Sequence, residues 1–75
     1  MELAWLEDFL ALVDCGNFSR AAERRHVTQP AFSRRVRALE AWVGAALFDR
    51  RTHAVALTRA GERFRPVAEE ALRRL

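Results

Sequence analysis

Gln29, Ser33, Arg34 and Arg37 stand at spacings of four, one and three, with Pro30 beside the first. At about 100° per residue Pro30, Arg34 and Arg37 lie opposite an apolar arc of Phe32, Val36, Leu39 and Val43. Gln29 and Ser33 fall nearer the edge of that arc, and Arg35 projects on the other flank. The outward side thus offers an amide, a hydroxyl and guanidinium forks. A glutamine amide pairs with adenine, and an arginine fork pairs with guanine or a phosphate. Grip on a polyanion needs only cations. A face that mixes donors with acceptors points to base edges as well as phosphates.

A helix over residues 28–43 must carry this face. Thr28 is placed to cap it, Pro30 sits in the first turn where its missing N–H costs nothing, and Gly44 ends it. Val27 and Phe32 have the spacing of a hydrophobic staple. A shorter helix precedes it, with Ser19 read as the N-cap before Arg20-Ala21-Ala22 and His26-Val27 as the turn. The small Ala21 and Ala22 allow close approach to a neighbour. Two helices joined so tightly form a helix-turn-helix over about residues 18–37. Ahead of them, Leu3, Leu6, Phe9, Leu10 and Val13 form an amphipathic stripe over residues 2–14, stopped by Gly16-Asn17, with Trp5 and Leu12 off its centre.

After Gly44 the pattern changes. Residues 45–48 are apolar, 49–53 polar and basic, and 54–57 alternate small with large, which predicts a two-stranded hairpin with its tip near Arg51–His53. The final helix begins at Thr58. Phe64, Val67, Ala68, Ala71 and Leu75 share a face that still runs at the last residue, and this predicts either a longer protein cut at this point or pairing with a second chain. Pro66 predicts a kink or loosened turn within it. Trp42 is expected to cover the end of its helix. The fold class is mainly α: a winged helix-turn-helix over 1–58 with a small β-hairpin wing, then a long linker helix over 58–75.

Charge supports the same reading. The 75 residues carry a net charge of +3, and all 13 basic residues are arginine. Residues 1–18 hold only acids (Glu2, Glu7, Asp8, Asp14), whereas residues 19–37 hold six arginines against Glu23. Residues 49–65 hold five arginines against Asp49 and Glu62. That division is the footprint of a polyanion binder. A single cysteine, Cys15, forms no internal disulfide and fits a reducing compartment. His26 and His53 lack metal-ligand spacing, and no carboxylate pair or nucleophile–base set has catalytic spacing, so no metal or enzyme activity is expected. No apolar run approaches a membrane span, so a cytoplasmic, nucleoid-associated protein is expected.

The order Asn17-Phe18-Ser19-Arg20-Ala21-Ala22, Thr28-Gln29-Pro30-Ala31-Phe32-Ser33-Arg34, Leu39-Glu40, Gly44, Leu47-Phe48-Asp49-Arg50 and Leu57-Thr58-Arg59-Ala60-Gly61-Glu62 resembles the N-terminal DNA-binding domain of LysR-type transcriptional regulators. Phe32 departs from a more usual smaller aliphatic, and Arg35 from a frequent glutamine. Gln-Pro-Ala-Phe-Ser-Arg-Arg, with Trp5-Leu6 and Asp8-Phe9-Leu10, is similar to a branch that includes oxidant-responsive regulators. The resemblance implies a homodimer or higher oligomer on an imperfect inverted repeat of double-stranded DNA near a promoter. It implies no cofactor within these residues and a small-molecule coinducer bound by a separate effector domain. By position, Gln29, Pro30, Ser33 and Arg34 become the base-reading group. Ser19, Arg20 and Thr28, joined by Arg35 and Arg37, lie near phosphates. Arg50, Arg51 and His53 belong to the wing on the minor groove or backbone. The alternative from the residues is a winged-helix module that docks an acidic protein.

Overall fold

The computed structural model describes residues 1–51 and 54–75. The chain forms α1 (Leu3–Cys15), α2 (Phe18–Arg24), α3 (Gln29–Val43), β1 (Phe48–Asp49), β2 (Ala56–Leu57) and α4 (Arg59–Arg73). The wing is the antiparallel pair β1–β2, with Phe48 opposite Leu57 and Asp49 opposite Ala56. Thr52 and His53, at the expected tip, lie outside the described residues.

Local chemistry sets most boundaries. Gly16 ends α1 and Gly44 ends α3, both in the left-handed region that glycine enters without a Cβ penalty (φ 63° and 87°). Thr28 caps α3 as expected, accepting from the Ala31 N–H at 3.3 Å. The cap of α2 is a correction. Asn17, not Ser19, accepts from the Arg20 N–H at 3.0 Å, so Phe18 and Ser19 are already helical. Asparagine caps at least as well as serine, and with the helix starting two residues earlier the Phe18 ring lies 6.1 Å from the Phe32 ring. Thr58 caps α4, which continues through Pro66 to Arg73.

α1 packs against α2, α3 and α4 together. A helix enclosed on three sides buries more than one stripe. Leu12, placed off the stripe by periodicity, is therefore buried, while Leu3, placed on it, is exposed. Phe9 is the centre of the core. Its ring lies 5.2 Å from Phe48 and meets Phe64 edge-on at 5.1 Å. Phe32, Val36 and Leu39 bury against the same cluster, so α3 has the orientation its periodicity requires. Trp42 does not cover the helix end; it is 59% exposed.

The wing is fastened to α3 and α4 rather than hanging from its own strands. Glu40 Oε2 accepts from the Leu47 N–H at 2.7 Å and the Phe48 N–H at 3.2 Å. The Thr58 hydroxyl donates to the Ala46 carbonyl at 2.6 Å while accepting from the Gly61 N–H. Gly61 lies so close to β1 that a Cβ there would stand 2.1 Å from the Leu47 carbonyl oxygen.

Candidate nucleic-acid interface

With Phe32, Val36 and Leu39 turned into the core, the opposite side of α3 must face outward. Gln29, Pro30, Arg34 and Arg37 are exposed, and Ser33 is half-buried at the edge of the face. Among the described residues Arg34 and Arg37 have no ion-pair partner, so their forks are uncommitted. Arg20 on α2 is exposed in the same way and, with Glu23, Arg24 and His26, lines a shallow concavity beside α2. His26 takes a left-handed backbone (φ 58°) in the α2–α3 turn. Arg24 and His26 were not assigned to this surface from sequence; Arg24 stands one helical turn beyond Arg20, which is the signal that was there.

Ser19 and Gln29 meet directly. The Ser19 hydroxyl donates to Gln29 Oε1 at 2.7 Å, joining the first turn of α2 to the first residue of α3. In this arrangement its proton points to the glutamine oxygen. The Thr28 oxygen accepts from the backbone in the cap, and its hydroxyl donates to no partner among the described residues.

Two arginines expected at phosphates serve the fold instead. Asp8 is fully buried, and its Oδ1 accepts from Arg35 Nη2 at 2.7 Å and from Arg25 Nε at 2.8 Å. A buried carboxylate needs such partners. This ion pair bolts α1 to α3 and draws Arg35 away from the outward face, correcting its assignment. Asp8 itself was read among the acids of residues 1–18, since nothing in helical spacing marks a carboxylate for burial between two other helices. Arg50 is the second correction. It pairs with Glu40 at 2.9 Å and lies over the Phe18 ring at 5.3 Å. Its fork closes the wing onto α3, on the carboxylate that already holds β1.

Arg51 remains at the wing surface with its side chain 88% exposed, bound at 2.7 Å to Asp49 at the end of β1. The side-chain hydrogen bond from Arg51, then that from its backbone N–H, lowers the Asp49 carboxyl from 3.8 to about 2. The same hydrogen bond raises the Arg51 guanidinium further above its ordinary value.

The expected pairing face of α4 divides in two. Phe64 packs against Phe9 and Ala68 is buried in the protomer's own core, so neither is open to a second chain. One surface cannot serve both. Val67 (58% exposed), Ala71 and Leu75 (80% exposed) face outward.

Comparison with known proteins gives this geometry a context. The family model described as "Bacterial regulatory helix-turn-helix protein, lysR family" matches residues 3–62. The chain is 47% identical over 75 residues to the HTH-type transcriptional regulator YjiE of Escherichia coli, covering all of this chain and 25% of that protein. It superimposes on Vibrio fischeri DarR, solved in complex with DNA, with a TM-score of 0.97 and 53% identity, covering 99% of this chain and 25% of that one. With the CbnR DNA-binding domain–DNA complex the TM-score is 0.91 at 40% identity, covering 97% of this chain and 84% of that one. The chain thus spans a quarter to a half of the length of the first curated relatives it matches.

Proposed function

The chain belongs to the lysR family of bacterial regulatory helix-turn-helix proteins, and from that premise we propose that it binds specific sites on double-stranded DNA as the DNA-binding part of a transcriptional regulator. The observation that carries this reading is the outward side of α3, where Gln29, Pro30, Arg34 and Arg37 are exposed opposite a buried Phe32–Val36–Leu39 face. α3 lies in the major groove, with Gln29, Ser33 and Arg34 on base edges. Arg20, Thr28 and Arg37 neutralise phosphates and set the register. Arg51 extends from the wing toward the minor groove or backbone.

Two copies act on one site. The longest principal extent of the protomer is 30 Å, shorter than the roughly 34–36 Å between half-sites one helical turn apart. One protomer therefore reads one half-site. Val67, Ala71 and Leu75 provide the outward apolar surface for pairing. A coinducer binds a separate effector domain of the complete regulator.

Band-shift titration at two salt concentrations tests the proposal. Affinity for random duplex should fall steeply with salt, because releasing condensed counterions gains less entropy when the bulk salt is higher. Arg34→Ala should weaken a selected site more than random duplex, by about 1–3 kcal/mol of lost discrimination. Salt-indifferent binding, or no binding at all, would remove DNA as the ligand.

A further inference from the structure

Resting on the proposed DNA reading, we infer that Asp49 competes with the DNA backbone for Arg51: its carboxylate occupies the guanidinium that a phosphate would take, and so holds down the wing's sequence-independent grip. Arg51 Nε donates to Asp49 Oδ1 at 3.0 Å and Nη2 donates to Oδ2 at 2.7 Å. A guanidinium meets a phosphate in the same two-pronged way. Carboxylate and phosphate thus compete for one edge of one fork. Arg20, Arg34 and Arg37 are exposed with no ion-pair partner among the described residues, so their forks meet no such competitor.

The backbone holds the carboxylate in place. Asp49 pairs with Ala56 across the wing, and its Oδ1 also accepts from the Arg51 N–H at 3.0 Å. Asparagine makes that local turn as well as aspartate does, because the turn asks only for a side-chain acceptor. The negative charge is therefore surplus to the turn and acts on the Arg51 fork. That fork stands in solvent, where a duplex reaches it. An exposed ion pair changes an equilibrium constant by only a small factor. A phosphate accordingly displaces Asp49, and the wing binds with an affinity lowered by that factor rather than abolished. While the pair is intact its charges cancel, so the wing releases fewer counterions from DNA than a free arginine does.

Band shifts on random and selected duplexes test this with the unaltered chain, Asp49→Asn, Arg51→Ala and the double variant. Asp49→Asn keeps the acceptor of the turn and removes the charge. It should raise affinity for both duplexes by roughly 2- to 5-fold at low salt and leave their ratio unchanged. The dependence of log affinity on log salt should steepen by about 0.5–1. With Arg51→Ala in place, the same substitution should have little effect. An equal gain without Arg51 makes Asp49 a repelling charge only and overturns the inference, as does no gain in Asp49→Asn. A gain confined to the selected duplex places the fork on a base edge and overturns it too. The unaltered chain gives a readout that a misfolded variant cannot obscure: random duplex should shift the Arg51 Nε–H resonance in NMR, as phosphate replaces the carboxylate. An unmoved resonance overturns the inference. A chain that binds neither duplex would sink the DNA reading itself, whereas normal binding with no gain in Asp49→Asn sinks this inference alone.

Discussion

Arg34 and Arg35 are adjacent in sequence and alike in chemistry, yet their surroundings give them opposite roles. Arg34 is exposed with no ion-pair partner among the described residues, whereas Arg35 donates to the buried Asp8. The second carboxylate oxygen of Asp8 has no hydrogen-bond partner among the described residues, so the charge depends on the two guanidinium groups sharing Oδ1. Removing one partner of a buried pair costs about 3–5 kcal/mol, and the lower end applies because Arg25 remains. Arg35→Ala should therefore destabilise the fold by about 3 kcal/mol in urea titration, while Arg34→Ala stays within about 0.5 kcal/mol. Equal stability of the two variants would show that Asp8 does not rely on Arg35. The wing carries its own titration. The Asp49 carboxyl is depressed from 3.8 to about 2 in the folded chain. Its link to Arg51 is present above the unfolded value and is lost as pH falls through the folded one. The Asp49 carboxyl carbon should titrate with a midpoint near 2 by NMR, and Arg51→Ala should return it toward 3.8.

Among the elements, the wing depends most on its neighbours. Strands of two residues each cannot hold a hairpin alone. Glu40 on α3 and Thr58 at the start of α4 supply the missing bonds, and Gly61 allows α4 to seat against β1. In Gly61→Ala the new methyl would meet the Leu47 carbonyl and the Leu57 side chain, at 2.1 and 2.8 Å. Backbone cannot yield as a flexible side chain does, so the cost should be about 1–3 kcal/mol or more. A lowered urea midpoint with loss of amide protection in β1 and β2 is the expected result. Unchanged protection would mean that α4 is not seated as described. The elements also show where periodicity succeeds. α3 buries one narrow arc, so helical spacing identified its inward and outward sides from Phe32, Val36 and Leu39. α1 is enclosed by three helices, and the same reasoning misplaced Leu3 and Leu12.

At the scale of the molecule, charge and apolar surface are distributed as the proposed paired DNA reader requires. The acidic first helix faces inward partly through Asp8, and Arg20, Arg34 and Arg37, which have no ion-pair partner among the described residues, lie on α2 and α3. The exposed apolar groups left over, Val67 and Ala71 on α4 and Leu75 just beyond it, extend past what the core consumes. Self-association should follow from them. Sedimentation equilibrium should show a concentration-dependent dimer, weakened by Val67→Asp together with Leu75→Asp, with little effect on folding. A strictly monomeric chain at high concentration would remove α4 from the pairing surface.

Sequence alone determined the four helices, the wing, the buried side of α3 and the family. These follow from local rules: capping residues, left-handed glycines and helical periodicity act within a few positions of themselves. The tertiary structure decided which charged groups are free. Asp8 captures Arg35 from 27 positions away, Glu40 captures Arg50, and Ser19 meets Gln29 across the α2–α3 turn. The core likewise divided the α4 face, taking Phe64 and Ala68 and leaving Val67 and Leu75 outside. Like arginines look alike in a sequence; only the packing of helices determines whether each meets a buried carboxylate or open solvent.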